Sequence, residues 1–185
     1  MNFETPQPKK REAGFTLIEL AIATVVLLFG VVAVMQLVPR AIQLNLDNRM
    51  NTTSTVTAQR LMDLMVNAGV NSPTLVDATG TFPCGGVNVC SLGAGAGVVG
   101  DFTNGSPLLP GGEVSFAAAP VPGFRLIYTD PNDPSGIPYD VRWAIVTSVR
   151  NVGPVASEVV AKRIVVGVRR QDGRDPVTLT SWITR

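Results

Sequence analysis

Ala13-Gly14-Phe15-Thr16-Leu17-Ile18-Glu19-Leu20 opens an apolar run that continues to Val38, and the reading of this stretch decides the fold. Of the 24 residues from Phe15 to Val38, only Glu19 is charged. A helix of about 20 such residues crosses the hydrocarbon core of a bilayer, so the run predicts a membrane span. Lys9-Lys10-Arg11 lies just before it, which favours a cytoplasmic N-terminus and places the C-terminal part beyond the membrane. A carboxylate at the depth of Glu19 costs a few kcal/mol or more without a partner, which makes Glu19 a candidate functional residue. The plainer alternative is that Glu19 snorkels to the headgroups. A secretory signal peptide would have an apolar core of about 7–15 residues and a small-x-small cleavage site. This run is longer and ends in Met35-Gln36-Leu37-Val38-Pro39-Arg40, which offers no such site.

Gly14-Phe15-Thr16-Leu17-Ile18-Glu19 behind a basic leader resembles the prepilin cleavage and methylation motif of type IV pilins and type II secretion pseudopilins. The resemblance implies that a prepilin peptidase cuts after Gly14 and that Phe15 becomes the N-methylated first residue. It also implies that Glu19 serves assembly with other pilin or pseudopilin subunits in the inner membrane. Cutting before Phe15 creates an α-amino group, and an amine and a carboxylate that are each costly in apolar surroundings become tolerable when paired. The pair could form within one helix or between staggered neighbours. Phe29 to Leu37, Ala58-Gln59-Arg60-Leu61-Met62, Tyr139-Asp140-Val141-Arg142-Trp143 and Lys162-Arg163-Ile164-Val165-Val166 are similar to PilV-type minor pilins and I-type minor pseudopilins.

The 185 residues allow one globular domain besides the helix. After Gly14 the chain carries 12 basic and 12 acidic residues, so the body is formally neutral and offers no global attraction to nucleic acid. Lys162, Arg163, Arg169 and Arg170 are the densest basic group, read as the solvated face of a strand.

Four regions follow from the pattern. Residues 1–14 read as a leader. Residues 15–69 read as one helix, transmembrane over 15–38 and amphipathic over 39–69, where Ala58, Leu61, Leu64 or Met65, and Ala68 recur at helical spacing before Gly69. Asn51-Thr52-Thr53-Ser54-Thr55 has poor helix propensity and predicts fraying or bending, and Gly30 and Pro39 read as softening points. Residues 70–122, rich in Gly, Pro, Asn, Ser and Ala, read as a connecting region with one or two short strands. Period-two alternation over 123–185 predicts an antiparallel sheet of about four strands, with a turn at Asp172-Gly173. The fold class is therefore α+β: a long N-terminal helix whose outer half packs on a C-terminal antiparallel sheet.

Cys84 and Cys90 form an even pair in a segment that would face an oxidising compartment, which predicts a disulfide, with two free thiols as the alternative. Zinc is disfavoured, because the chain has no His and no second Cys pair. Gly95-Ala96-Gly97-Val98-Val99-Gly100 matches G-x-G-x-x-G but is followed by turn residues instead of a helix, so no nucleotide site is expected. Asp130 to Gly136 bunches oxygen ligands, yet it lacks calcium-loop spacing and reads as a turn. Without His the common base of Ser and Cys hydrolases is missing, so no enzyme, metal or cofactor is expected. The function implied is a minor pilus subunit. The alternatives are a secretion pseudopilin, an adhesin or DNA-uptake tip module, and an anchored protein that is never cleaved.

Overall fold

The computed structural model describes residues 14, 16–86, 88–93, 101–133, 136–151, 157–173 and 175–185. Residues 1–13, Phe15 and the Gly95–Gly100 motif lie outside the described residues. The chain divides into two compact units, Met1–Asn48 and Arg49–Arg185.

In the first unit the described residues form the N-terminal part of α1, a helix over Leu17–Ala68 that contains Pro39. Its large apolar side chains, from Leu17 to Leu46, are exposed, and the helix is long and apolar enough to cross a membrane. Thr24 is satisfied locally, its hydroxyl donating to the carbonyls of Leu20 and Ala21 at 3.0 and 2.8 Å.

In the second unit, α1 from Arg49 onward buries Ser54, Thr57, Ala58, Leu61, Met62 and Met65. These recur three and four residues apart, so they form one stripe facing the core. The stripe explains why residues 51–55 are helical despite their propensity, contrary to the expectation of fraying. Thr53 and Thr55 bond their hydroxyls back to the carbonyls of Arg49 and Asn51, and Ser54 is buried. Thr53 also shares a side-chain hydrogen bond with Tyr139 of the sheet. Packing outweighs a propensity deficit of tenths of a kcal/mol per residue. The helix stops at Gly69, whose φ of 85° suits the left-handed position after a helix.

Among the described residues seven strands follow: β1 Thr74–Leu75, β2 Cys90–Ser91, β3 Phe102–Gly105, β4 Arg125–Tyr128, β5 Tyr139–Asn151, β6 Ser157–Arg170 and β7 Val177–Thr184. β1 and β2 pair antiparallel in a small sheet. In the main sheet β5, β6 and β7 form a meander, while β3 and β4 both pair with β5 along its other edge. The main sheet thus has five strands where the alternation predicted about four. Strand β3 escapes a sequence reading because Phe-Thr-Asn-Gly carries almost no β pattern of its own.

The long strands β5 and β6 are covered on both faces. Tyr139, Val141, Trp143 and Ile145, with Ile164, Val166 and Val168, join Ala58, Leu61, Met62 and Met65 in one hydrophobic core. On the opposite face the segment 107–116 folds over the sheet, with Leu108 bridging Val114. It can approach because residue 167 is glycine: a Cβ there would lie 2.9 Å from Val114 Cβ.

Trp143 is fully buried and fixes the junction between β3 and β4. Its carbonyl accepts the Ser106 N–H at 2.9 Å, and its own N–H donates to the Phe124 carbonyl at 3.1 Å. Gly105 sits against this point with φ 111°, and a Cβ there would lie 2.5 Å from the Trp143 carbonyl oxygen. Gly105→Ala should therefore destabilise the protein by about 2–4 kcal/mol through backbone strain and overlap. Gly111→Ala, where a Cβ would meet nothing within 4 Å, should be near neutral. Urea unfolding of the detergent-solubilised chain checks both.

Candidate functional site

The N-terminal segment is built around Thr16 and Glu19. Thr16 precedes the first helical residue, and both its N–H and its hydroxyl donate to Glu19 Oε2 at 3.2 Å. The Glu19 N–H donates in return to Thr16 Oγ1 at 3.3 Å. This reciprocal arrangement is a capping box, in which residues at the cap and three positions on satisfy each other's orphan donors. The carboxylate also sits at the positive end of the helix dipole. Glu19 therefore has a partner within its own chain, and the Thr-x-x-Glu spacing in the sequence was the signal for it. Gly14 is exposed just ahead, with nothing within 4 Å of where a Cβ would stand. Phe15, the expected methylation position, lies outside the described residues.

In the second unit Cys84 and Cys90 form a disulfide, with Cα atoms 5.3 Å apart and both residues buried. The bridged loop is tied into the fold at three further points. The Leu92 N–H donates to the Pro73 carbonyl at 2.8 Å, Trp143 Nε1 donates to the Ser91 carbonyl at 2.8 Å, and Lys162 Nζ donates to the Leu92 carbonyl at 2.9 Å. Lys162 also reaches the Ser72 carbonyl at 2.8 Å, just past the end of α1. It is 1 % exposed, and burial lowers its pKa.

The basic group at 162–170 is thus not a solvated face. Lys162 and Arg170 are buried on the helix side of the sheet, and Arg163 and Arg169 are half-buried on the other side. Arg163 lies over the Trp182 ring at 5.9 Å, and Arg169 over Phe116 at 4.8 Å. Long basic side chains bury their stems readily when carbonyls or aromatic rings receive the charged end. A strand carrying charges on both sides cannot put them all in water.

Asp140 is buried and holds two guanidinium groups. Oδ1 accepts from Arg125 Nε at 2.8 Å, and Oδ2 accepts from Arg142 Nε and Nη2 at 3.0 and 2.9 Å. Arg142 continues to the Ala118 carbonyl at 2.8 Å and lies 5.1 Å from the Phe116 ring centroid. This cluster locks the covering segment onto the sheet.

The Asp130 region forms turns. Asp130 Oδ1 accepts the Asn132 N–H at 2.9 Å, and Asp133 Oδ2 accepts the Tyr139 hydroxyl at 3.2 Å. Among the described residues no group of three His, Cys, Asp or Glu is placed to hold a metal ion.

Asp77 organises the loop before the disulfide. Its Oδ2 accepts the Phe82 N–H at 2.7 Å, and its Oδ1 accepts the Thr79 N–H and hydroxyl at 2.8 and 2.6 Å. Burial alone would raise its pKa, but these donors outweigh burial and hold it below the usual value. A depressed folded-state pKa contributes stability that is fully present above the unfolded value, near pH 4, and is lost as pH falls through the folded value. The urea midpoint should accordingly fall as pH drops below about 4. Asp77→Asn should flatten that acid limb while lowering stability at pH 7 by about 1–3 kcal/mol.

Residues 9–35 match the family described as the prokaryotic N-terminal methylation motif. No curated protein and no solved structure matches the chain.

Proposed function

Because this motif and the helix-on-sheet fold support the type IV pilin and pseudopilin superfamily, we propose that the chain is a minor subunit of a type IV pilus. The observation that carries the reading is the match over residues 9–35, which spans a basic leader end, the Gly14 to Glu19 motif and the start of an apolar helix. Prepilin peptidase removes residues 1–14, and Phe15 is N-methylated. The chain waits in the inner membrane, held by α1, and enters the filament through that helix. Its role is structural, as a substrate of the peptidase and not itself an enzyme. The helix and the C-terminal strands are similar both to PilV-type minor pilins and to I-type minor pseudopilins, so a secretion pseudopilin is the second reading.

The capping box gives Glu19 two successive tasks. It closes the first turn of α1, and its charge is available to the new α-amino group of its own chain or of a neighbour. The Thr16 side chain serves the first task, its hydroxyl accepting the Glu19 N–H.

Intact mass of membrane-extracted protein, from cells with an active prepilin peptidase, should correspond to a chain that begins at methylated Phe15. A chain retaining residues 1–14 would overturn the reading. Thr16→Ala removes only the cap and should cost about 1 kcal/mol of local helix stability. Glu19→Ala removes cap and charge together, so it should reduce recovery in sheared filaments well beyond Thr16→Ala while leaving processing intact. Equal losses for the two variants would confine Glu19 to the capping role.

A further inference from the structure

The fold treats the two lateral edges of the main sheet differently. Beside β4 the edge is flanked by the disulfide loop, whose Ser91 N–H donates to the Gly123 carbonyl at 2.7 Å. The other edge is β7. There the Arg185 N–H donates to the Val160 carbonyl, one step beyond the Ala161–Thr184 pair. Alternate residues of an antiparallel strand point N–H and C=O to the same side, so Thr178, Thr180, Trp182 and Thr184 point theirs away from β6. Among the described residues no backbone hydrogen bond reaches these outward groups. Thr180, Trp182 and Thr184 are also exposed.

Strand β7 carries none of the devices that close an edge to further pairing. Val177 to Thr184 contains no charge, no Pro and no Gly, and it pairs with β6 without a register shift. Such an edge templates another strand, and its backbone groups supply affinity when an extended segment is added.

One charge leans toward this edge. Arg163 stands directly opposite Trp182 in the β6–β7 register, and its guanidinium lies over the indole, 5.9 Å from the ring centroid. The half-buried side chain therefore reaches across β7 with its donor fork directed to the open side. Neighbouring arginines are answered by carboxylates: Arg125 and Arg142 share Asp140, and Arg150 and Arg185 share Glu158. Arg169 is stacked on Phe116 and lies beyond the first β7 pair, Val168–Val177. Among the described residues Arg163 has no carboxylate within ion-pair distance. The covering segment brings it only Gly112, where a Cβ would lie 3.8 Å from Arg163 Nη1. Glu113, next along that segment, is exposed and forms no ion pair with a described residue.

We propose that the β7 edge accepts an extended acidic segment of a partner protein as one more antiparallel strand, with a Glu or Asp opposite Trp182. Opposite Cβ atoms in such a pair lie about 5 Å apart on the same sheet face, so the carboxylate crosses the indole and meets the Arg163 guanidinium. Backbone bonds supply affinity and this charge supplies selection: a neutral segment leaves Arg163 unanswered, and a basic one is repelled. Trp and Arg are the residue types that most often anchor interfaces. The surface lies wholly within the second unit and stands apart from the reading of the N-terminal motif.

The chain has two Trp, of which Trp143 is fully buried and Trp182 is 60 % exposed, so quenching by acrylamide, which is uncharged, reads the occupancy of this edge. The probes are two capped nine-residue peptides of alternating Thr and Val, one with Glu at its centre and the other with Lys. Each is added to the purified full-length chain in detergent. The Glu peptide should shield Trp182 with half-saturation about fivefold below that of the Lys peptide, the size of effect an exposed ion pair gives. Arg163→Gln should erase that difference while strand addition persists. Thr180→Pro removes an outward N–H that β6 does not use, a change edge strands tolerate, and should abolish shielding by both peptides. Equal shielding by the two peptides, a difference that persists in Arg163→Gln, shielding that survives Thr180→Pro, or no shielding at all would each overturn the proposal. Shielding of Trp182 that grows with protein concentration in the absence of peptide would also overturn it, by making a second copy the occupant.

Discussion

The burial of Trp143 is the constraint on which the second unit depends. Its indole donates to the Ser91 carbonyl, and its backbone joins Ser106 on one side and Phe124 on the other. Three segments that are far apart in sequence therefore meet at one side chain: the disulfide loop, the end of β3 and the start of β4. A fully buried Trp needs a partner for its N–H, and the Ser91 carbonyl supplies it. Gly105 is part of the same constraint, since only a residue without Cβ fits against the Trp143 carbonyl.

From that point outward, the fold is an exercise in covering a two-sided sheet. One face receives the helix stripe from Ser54 to Met65, and the other receives the segment around Val114 and Phe116. Two charged groups caught between the layers have partners: Lys162 has two carbonyls, and Asp140 has Arg125 and Arg142. Buried charges are tolerated only with such partners, and removing one side of a pair strands the other. Because Lys162 grips Ser72 and Leu92 together, the end of α1, the disulfide loop and β6 are held as one cooperative unit.

The N-terminal segment follows the same rule with local means. In the apolar run, Glu19 and Thr24 satisfy their side chains against Thr16 and the preceding helical turn. Local satisfaction leaves the outer surface of the run largely apolar, which suits lipid.

The sequence by itself determined what depends on near neighbours. The apolar run, the Gly14 to Glu19 motif, the stop at Gly69, the alternation of β5 and β6, the turn at Asp172-Gly173 and the closeness of Cys84 to Cys90 are all local patterns with local causes. The cap between Thr16 and Glu19 belongs with them, since its residues are three apart. Tertiary structure alone decided the helicity of Asn51 to Thr55, the pairing of β3, and the burial of Lys162, Asp140 and Arg142. In each of these, local propensity is weak or points the other way, and the outcome is set by contacts tens of residues distant. Such contacts decide because each buried polar group must find its partner wherever the packed layers bring one within reach.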